Sequence, residues 1–326
     1  MKATLHTLGL LGLAVVAPCW GCQNDFNPQS LVDSVRILAA RADKPYAAPG
    51  DTVNLDVLAY DGRTTQTEPM TVAWVPLPCI NPPGDLYYAC YPAAAQLFPE
   101  GVDLTPALHA GTQFSFQLPS DIITTHGASK TGDPYGLAVA FAVACAGHVE
   151  YVPPPPGEGP NALPFGCFDS NHNRLGADDF VFAFALVYAF ADRTNTNPVI
   201  ESATFAGAAI DPDAGVTLAS CTQSAIGSCT IAPVDIVVPD SSQEQDPGNK
   251  DVNGNILGEE IWVDMYLTAG SIKHDATILF DPGTGRVPNT TNQYTPPQTP
   301  GEQMLWFVVR DNRGGVNWMQ VPIHAQ

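Results

Sequence analysis

Two runs of alternating oxygen-bearing side chains are the residues best suited to chemistry. Asp169-Ser170-Asn171-His172-Asn173 is followed by Asp178 and Asp179. Asp251-Val252-Asn253-Gly254-Asn255 is preceded by Asp246 and followed by Glu259 and Glu260. A hard cation such as Ca²⁺ collects about six to eight oxygens, and a turn aims alternate side chains at one centre. The candidate calcium ligands are Asp169, Asn171, Asn173, Asp178 and Asp179 in the first run. In the second they are Asp251, Asn253, Asn255 and Glu259. The alternative for each run is a solvated loop between strands, which Pro247-Gly248 and Asn253-Gly254 equally favour. Asp211-Pro212-Asp213-Ala214-Gly215 is a third acidic stretch and reads as a turn alone.

The first run partly resembles an EF-hand loop, but Arg174 stands where that loop needs Gly and Phe180 where it needs a bidentate Glu. In the second run Gly254 comes too early for that position. A true EF-hand is therefore excluded. No G-x-S-x-G, H-E-x-x-H, P-loop or G-x-G-x-x-G pattern occurs, so no catalytic residue is assigned. His109, His126, His148, His172, His274 and His324 are scattered. His148 and His172 flank the 145–167 excursion and have room to meet in space; the plainer alternative is exposed loop histidines. Trp74, Trp262, Trp306 and Trp318 are candidates for a sugar-stacking platform. Trp262 and Trp306 alternate with apolar neighbours, however, which favours core packing.

Six cysteines lie in the body of the chain: Cys79, Cys90, Cys145, Cys167, Cys221 and Cys229. They allow about fifteen pairings. Their order suggests the local set 79–90, 145–167 and 221–229, each closing the base of a Gly/Pro-rich excursion. No C-x-x-C or C-x-x-H spacing points to zinc. An even number favours disulfides in an oxidising compartment. Residues 1–21 give the reason to expect one. Lys2 precedes an apolar run, Leu8-Gly9-Leu10-Leu11-Gly12-Leu13-Ala14-Val15-Val16-Ala17, too short to cross a bilayer core of ~30 Å but suited to a signal peptide. Small Gly21 then precedes Cys22.

That arrangement resembles the lipobox of bacterial lipoproteins, which implies that Cys22 is acylated and becomes the new N-terminus. The chain departs from the pattern in having Cys19 rather than Leu three residues before Cys22, followed by Trp20. Loss of Lys2 leaves 12 basic residues against 33 acidic ones. Such a surface repels phosphate backbones, so nucleic-acid binding is not expected. A hydrophobic content of 45% rules against disorder, while 28 Gly and 31 Pro favour an all-β fold.

The elements follow from period-two alternation. Val53, Leu55, Val57 and Ala59 mark a strand after Pro49-Gly50-Asp51, closed by Tyr60-Asp61-Gly62; Thr71-Val72-Ala73-Trp74-Val75 is the next. Strands are also expected at 113–118, 136–145 and 180–190, with one short helical turn at 92–98. The segment Val152-Pro153-Pro154-Pro155-Pro156-Gly157-Glu158-Gly159-Pro160 cannot pair inside a sheet and is expected to project as a loop. Arg193-Thr194-Asn195-Thr196-Asn197-Pro198 is the expected boundary. Beyond it, strands are expected at 199–205, 231–238, 260–268, 277–280, 303–310 and 317–323. The last two join through Asp311-Asn312-Arg313-Gly314-Gly315.

The opening strands with Trp74 resemble bacterial immunoglobulin-like surface domains, and the terminal hairpin after Leu305-Trp306-Phe307-Val308-Val309 resembles that of Ig-like or cadherin-like modules. The whole layout resembles surface lipoproteins of soil-type deltaproteobacteria such as myxobacteria. It does so through Arg36-Ile37-Leu38-Ala39-Ala40-Arg41-Ala42, Leu175-Gly176-Ala177-Asp178-Asp179-Phe180-Val181 and Asn195-Thr196-Asn197-Pro198. The resemblance implies fold and location, not mechanism. The resulting expectation is an all-β chain: signal peptide 1–21, tether 22–34, and two tandem Ig-like β-sandwich domains at 35–193 and 198–326. Its expected place is the outer membrane or cell surface, held by lipid at Cys22. Its expected role is non-catalytic, binding a surface protein or glycan or serving structurally, with Ca²⁺ as the one candidate cofactor. The alternative is a secreted hydrolase or carbohydrate-binding module acting on polysaccharide or peptide.

Overall fold

The computed structural model describes residues 27–127, 132–153, 162–221 and 229–326. The segment read as a signal peptide and the expected lipid site Cys22 lie outside the described residues, as does most of the proline-rich excursion. The chain is all-β, organised in its first half by the strand Gly136–Cys145. That strand alternates small and large residues, and successive side chains point to opposite faces. All of its residues are buried. Ala138, Ala140 and Ala142 face a core with Val53, Leu55, Trp74, Phe114 and Val187. Leu137, Val139, Phe141 and Val143 face a second core with Tyr91, Leu104, Val149, Tyr151 and Phe165.

Gly136–Cys145 pairs antiparallel with Phe180–Ala189 along its whole length. Both belong to a six-stranded sheet with Thr71–Trp74 and Cys79–Ile80. A three-stranded sheet of Val35–Ala42, Thr52–Asp61 and Gln113–Gln117 covers the alanine face. Alanines there let the two sheets approach. The bulkier opposite face is covered instead by the excursions, including a two-stranded ribbon of His148–Tyr151 and Phe165–Phe168. Trp74 is in the core as expected, its Nε1 donating to the Thr112 carbonyl at 3.0 Å. The short helix is Tyr91–Leu97.

In the second half a five-stranded sheet containing Ser202–Phe205 and Ala232–Val237 packs on a six-stranded sheet containing Ile261–Leu267, Gly301–Asp311 and Val316–Ala325. The alternate residues Val263, Met265, Leu305, Phe307, Val309, Val321 and Ile323 fill the space between them. Each fully buried side chain of this size contributes roughly 1.5–3 kcal/mol. All three expected disulfides are present, Cys79–Cys90, Cys145–Cys167 and Cys221–Cys229, with Cα separations of 5.9, 5.7 and 5.4 Å.

The expected tether at 22–34 needs correction in its described part. The described part of the tether segment, 27–34, is packed down. Val32 N–H donates to Leu267 O at 2.9 Å, and Leu267 N–H to Ser30 O at 2.8 Å. Val32 is apolar enough to be buried, and it joins Leu38, Leu58, Tyr266, Trp306 and Val308 in a cluster between the two halves. The boundary segment is likewise held. Asn195 is buried, and Asn197 Nδ2 donates to Ala42 O at 2.8 Å. Core packing, the favoured reading of the tryptophans, holds for Trp74 and Trp306, which are fully buried; Trp262 is half-buried, and Trp318 lies under the Arg41 guanidinium, 4.0 Å from the ring centre.

Candidate functional site

His148, Glu150 and His172 meet at one point. His148 and Glu150 are two residues apart on a strand, so their side chains share a face. The strand pairs with Phe165–Phe168 in a register that sets Glu150 opposite Gly166 and His148 opposite Phe168. The Cys145–Cys167 bridge ties this ribbon to the central strand. On the other side, Leu104 N–H donates to Val149 O at 2.7 Å. Gly147 lets the chain turn into the strand: a Cβ there would sit 2.2 Å from Phe168 O.

His172 reaches the site from the loop after Phe168. Asp169 organises that loop. Its Oδ1 accepts the Asn171 and Asn173 amides, each at 2.8 Å, and its Oδ2 accepts Asn173 Nδ2 at 2.9 Å. These bonds hold the carboxyl of Asp169 below its ordinary range, the Asn173 side chain first. His172 takes a left-handed backbone, φ 60°. In the run read as a calcium loop, Asp169 therefore turns both its carboxylate oxygens onto the loop's own amides.

Glu150 Oε1 accepts from both rings, His148 Nε2 at 2.7 Å and His172 Nδ1 at 2.9 Å. The imidazole centres are 5.3 Å apart and nearly perpendicular, at 83°. Glu150 is buried, His148 half-buried and His172 exposed. Burial pushes the Glu150 carboxyl up, but the two imidazole hydrogen bonds outweigh it and hold it below its ordinary value. Among the described residues this is the one group of three or more His, Cys, Asp or Glu with ligand atoms converging, all within 4.8 Å. The sequence leaves His148 and His172 room to meet but favours exposed loop histidines, and Glu150 is absent from its candidates. The signal was the His-x-Glu spacing on a strand, visible once 148–151 is assigned as one.

The remaining calcium candidates are dispersed. Asp179 pairs with Arg63 Nη1 at 2.9 Å. Asp178 is exposed, and its carbonyl accepts from Val35 N–H at 2.8 Å. The second run repeats the first loop's geometry. Asp251 Oδ1 accepts the Asn253 and Asn255 amides at 2.8 and 2.9 Å, and its Oδ2 accepts Asn255 Nδ2 at 2.8 Å. This loop joins the strands Gln245–Lys250 and Ile256–Gly258. Glu259, the remaining candidate of this run, is engaged by Arg313. Its carboxylate accepts from Arg313 Nε inside the protein, because a fully buried carboxylate needs a cation at hand.

No family model matches the chain, and no curated protein matches it. The D00-D0 domain of intimin aligns at 9% identity over 89% of this chain and 98% of that one, with a TM-score of 0.21. The fibronectin(III)-like modules of Clostridium thermocellum CbhA align at 11% identity over 88% and 94%, TM-score 0.21. Dimeric latent PorU from Porphyromonas gingivalis aligns at 10% identity over 91% of this chain but 24% of that one, TM-score 0.21. At such scores these likenesses carry no argument about activity or partners.

Proposed function

We propose that the protein works outside the cytoplasm as a β-sandwich module of the cell envelope, held to a membrane by lipid on Cys22, with a binding or structural role. The observation that carries this reading is the set of three local disulfides, which uses every cysteine beyond the signal-like start and Cys22. Such bridges persist in oxidising compartments and are rare in the cytosol. The apolar run ending at Gly21-Cys22, and the resemblance of the layout to myxobacterial surface lipoproteins, support the same location. One acyl chain binds a membrane only marginally, so firm anchoring needs more than one. The protein should fractionate with the envelope membrane and take up a fatty-acid probe, and Cys22→Ser should release it and abolish labelling. Wild-type protein that stays unlabelled, or sits in the cytosol, overturns the reading.

A further inference from the structure

The geometry points to a divalent transition-metal site, of the class zinc occupies, formed by His148 Nε2, Glu150 Oε1 and His172 Nδ1. Two imidazole nitrogens and one carboxylate oxygen suit zinc, nickel or copper, whereas calcium and magnesium demand oxygen donors alone. Zinc–nitrogen and zinc–oxygen bonds are about 2.0–2.2 Å, so tetrahedral donors stand roughly 3.3 Å apart. Glu150 Oε1 lies 2.7 Å from His148 Nε2 and 2.9 Å from His172 Nδ1, and all three donor atoms lie within 4.8 Å of one another. Each imidazole nitrogen needs to move only about half an ångström away from that oxygen as the bridging proton leaves, while the two nitrogens settle to the same spacing from each other.

The site is built rather than incidental. Glu150 is buried, and among the described residues its ion-pair partners are the two imidazoles. A divalent cation would take the place of the two imidazole hydrogen bonds that hold this buried carboxylate, and would neutralise its charge. The donors stand on two supports, a strand fixed by the Cys145–Cys167 bridge and a loop fixed by Asp169. Three protein ligands leave a fourth position open, and His172, with 69% of its side chain exposed, leaves that position accessible to water or to an outside donor.

Two further charges lie close. Asp103 bridges to Glu150 through the backbone, its carboxylate accepting Thr105 N–H at 2.8 Å. Arg174 Nε comes within 3.5 Å of where a Cβ on Gly166 would stand, opposite Glu150. The net charge of −20 adds a field that gathers cations.

The test is calorimetric titration of zinc chloride into the full chain and into His148→Ala/His172→Ala. Thiols of Cys19 and Cys22, where present, bind alike in both, so the difference belongs to the cluster. Wild type should take one equivalent of zinc that the double variant does not. His172→Ala alone, an exposed change that leaves the fold intact, should weaken that equivalent at least tenfold. Excess calcium or magnesium should not displace it. Affinity should fall as pH is lowered from about 8 to about 6, because the ligands must be deprotonated to bind. Equal zinc stoichiometry and affinity in wild type and His172→Ala, or displacement by calcium, overturns the assignment.

Discussion

The guanidinium of Arg313 and the carboxylate of Glu259 form an ion pair inside the protein, although Arg313 sits in a hairpin turn. Arg313 Nη2 also donates to Glu244 Oε2 at 2.6 Å and to Asn195 Oδ1 at 3.0 Å. Asp311 is buried beside it, accepting the Arg313 and Gly315 amides at 2.8 Å each. One cation thus ties the C-terminal hairpin to the boundary segment and to Glu259. Arg313→Met should destabilise the protein by about 3–5 kcal/mol, because the buried carboxylates lose their cation. Adding Glu259→Leu should recover part of the loss. Urea melts of the three proteins at about pH 8, above the Glu259 pKa of about 7, measure this, and an unchanged midpoint in Arg313→Met contradicts it.

The same pair sets a pH dependence. Burial pushes Glu259 up, the charge of Asp311 adds to it, and the Arg313 hydrogen bond does not offset them, leaving its pKa at about 7. The folded state therefore holds a proton that the unfolded chain, with an ordinary carboxyl, releases near pH 4.5. That stability is fully present below the unfolded value and is lost as pH rises through about 7. Melting temperature should fall between about pH 5 and 8, and Glu259→Gln should flatten the curve. Parallel curves for the two proteins contradict the assignment.

Gly147 controls the way into the metal-site strand. Ala there brings a Cβ against Phe168 O and forces the ribbon away from the central sheet. Gly147→Ala should cost about 1–3 kcal/mol in a thermal melt. A melt matching wild type would mean the close approach is not needed.

Asp169 and Asp251 act as loop organisers. Asp169→Ala and Asp251→Ala should each lower the melting temperature in chelator as well as in calcium, since the lost partners are the loops' own amides. A loss confined to calcium-containing buffer would restore the ion as the organiser.

The alternation at 136–145 and 180–190 was legible because both strands keep a strict period of two, and small and large residues sort onto opposite faces. The disulfides were legible because each pair is adjacent in the chain. The ribbon at 245–258 was not, since Pro247 and the glycines mask a short strand behind turn chemistry. The Arg313 turn reads as a plain hairpin signal, because burial of a turn depends on the boundary segment and Glu259, which are distant in sequence. Glu150 was hidden for the same reason. His172 lies 22 residues away from it, and only pairing of 148–151 with 165–168 brings the loop back.

The most direct measurement is the intact mass of the native protein extracted from the envelope membrane. The expected species is residues 22–326 carrying acyl groups on Cys22 and lacking six hydrogens, one pair for each bridge. A chain that retains residues 1–21, or one with free thiols at Cys79, Cys90, Cys145, Cys167, Cys221 and Cys229, contradicts it.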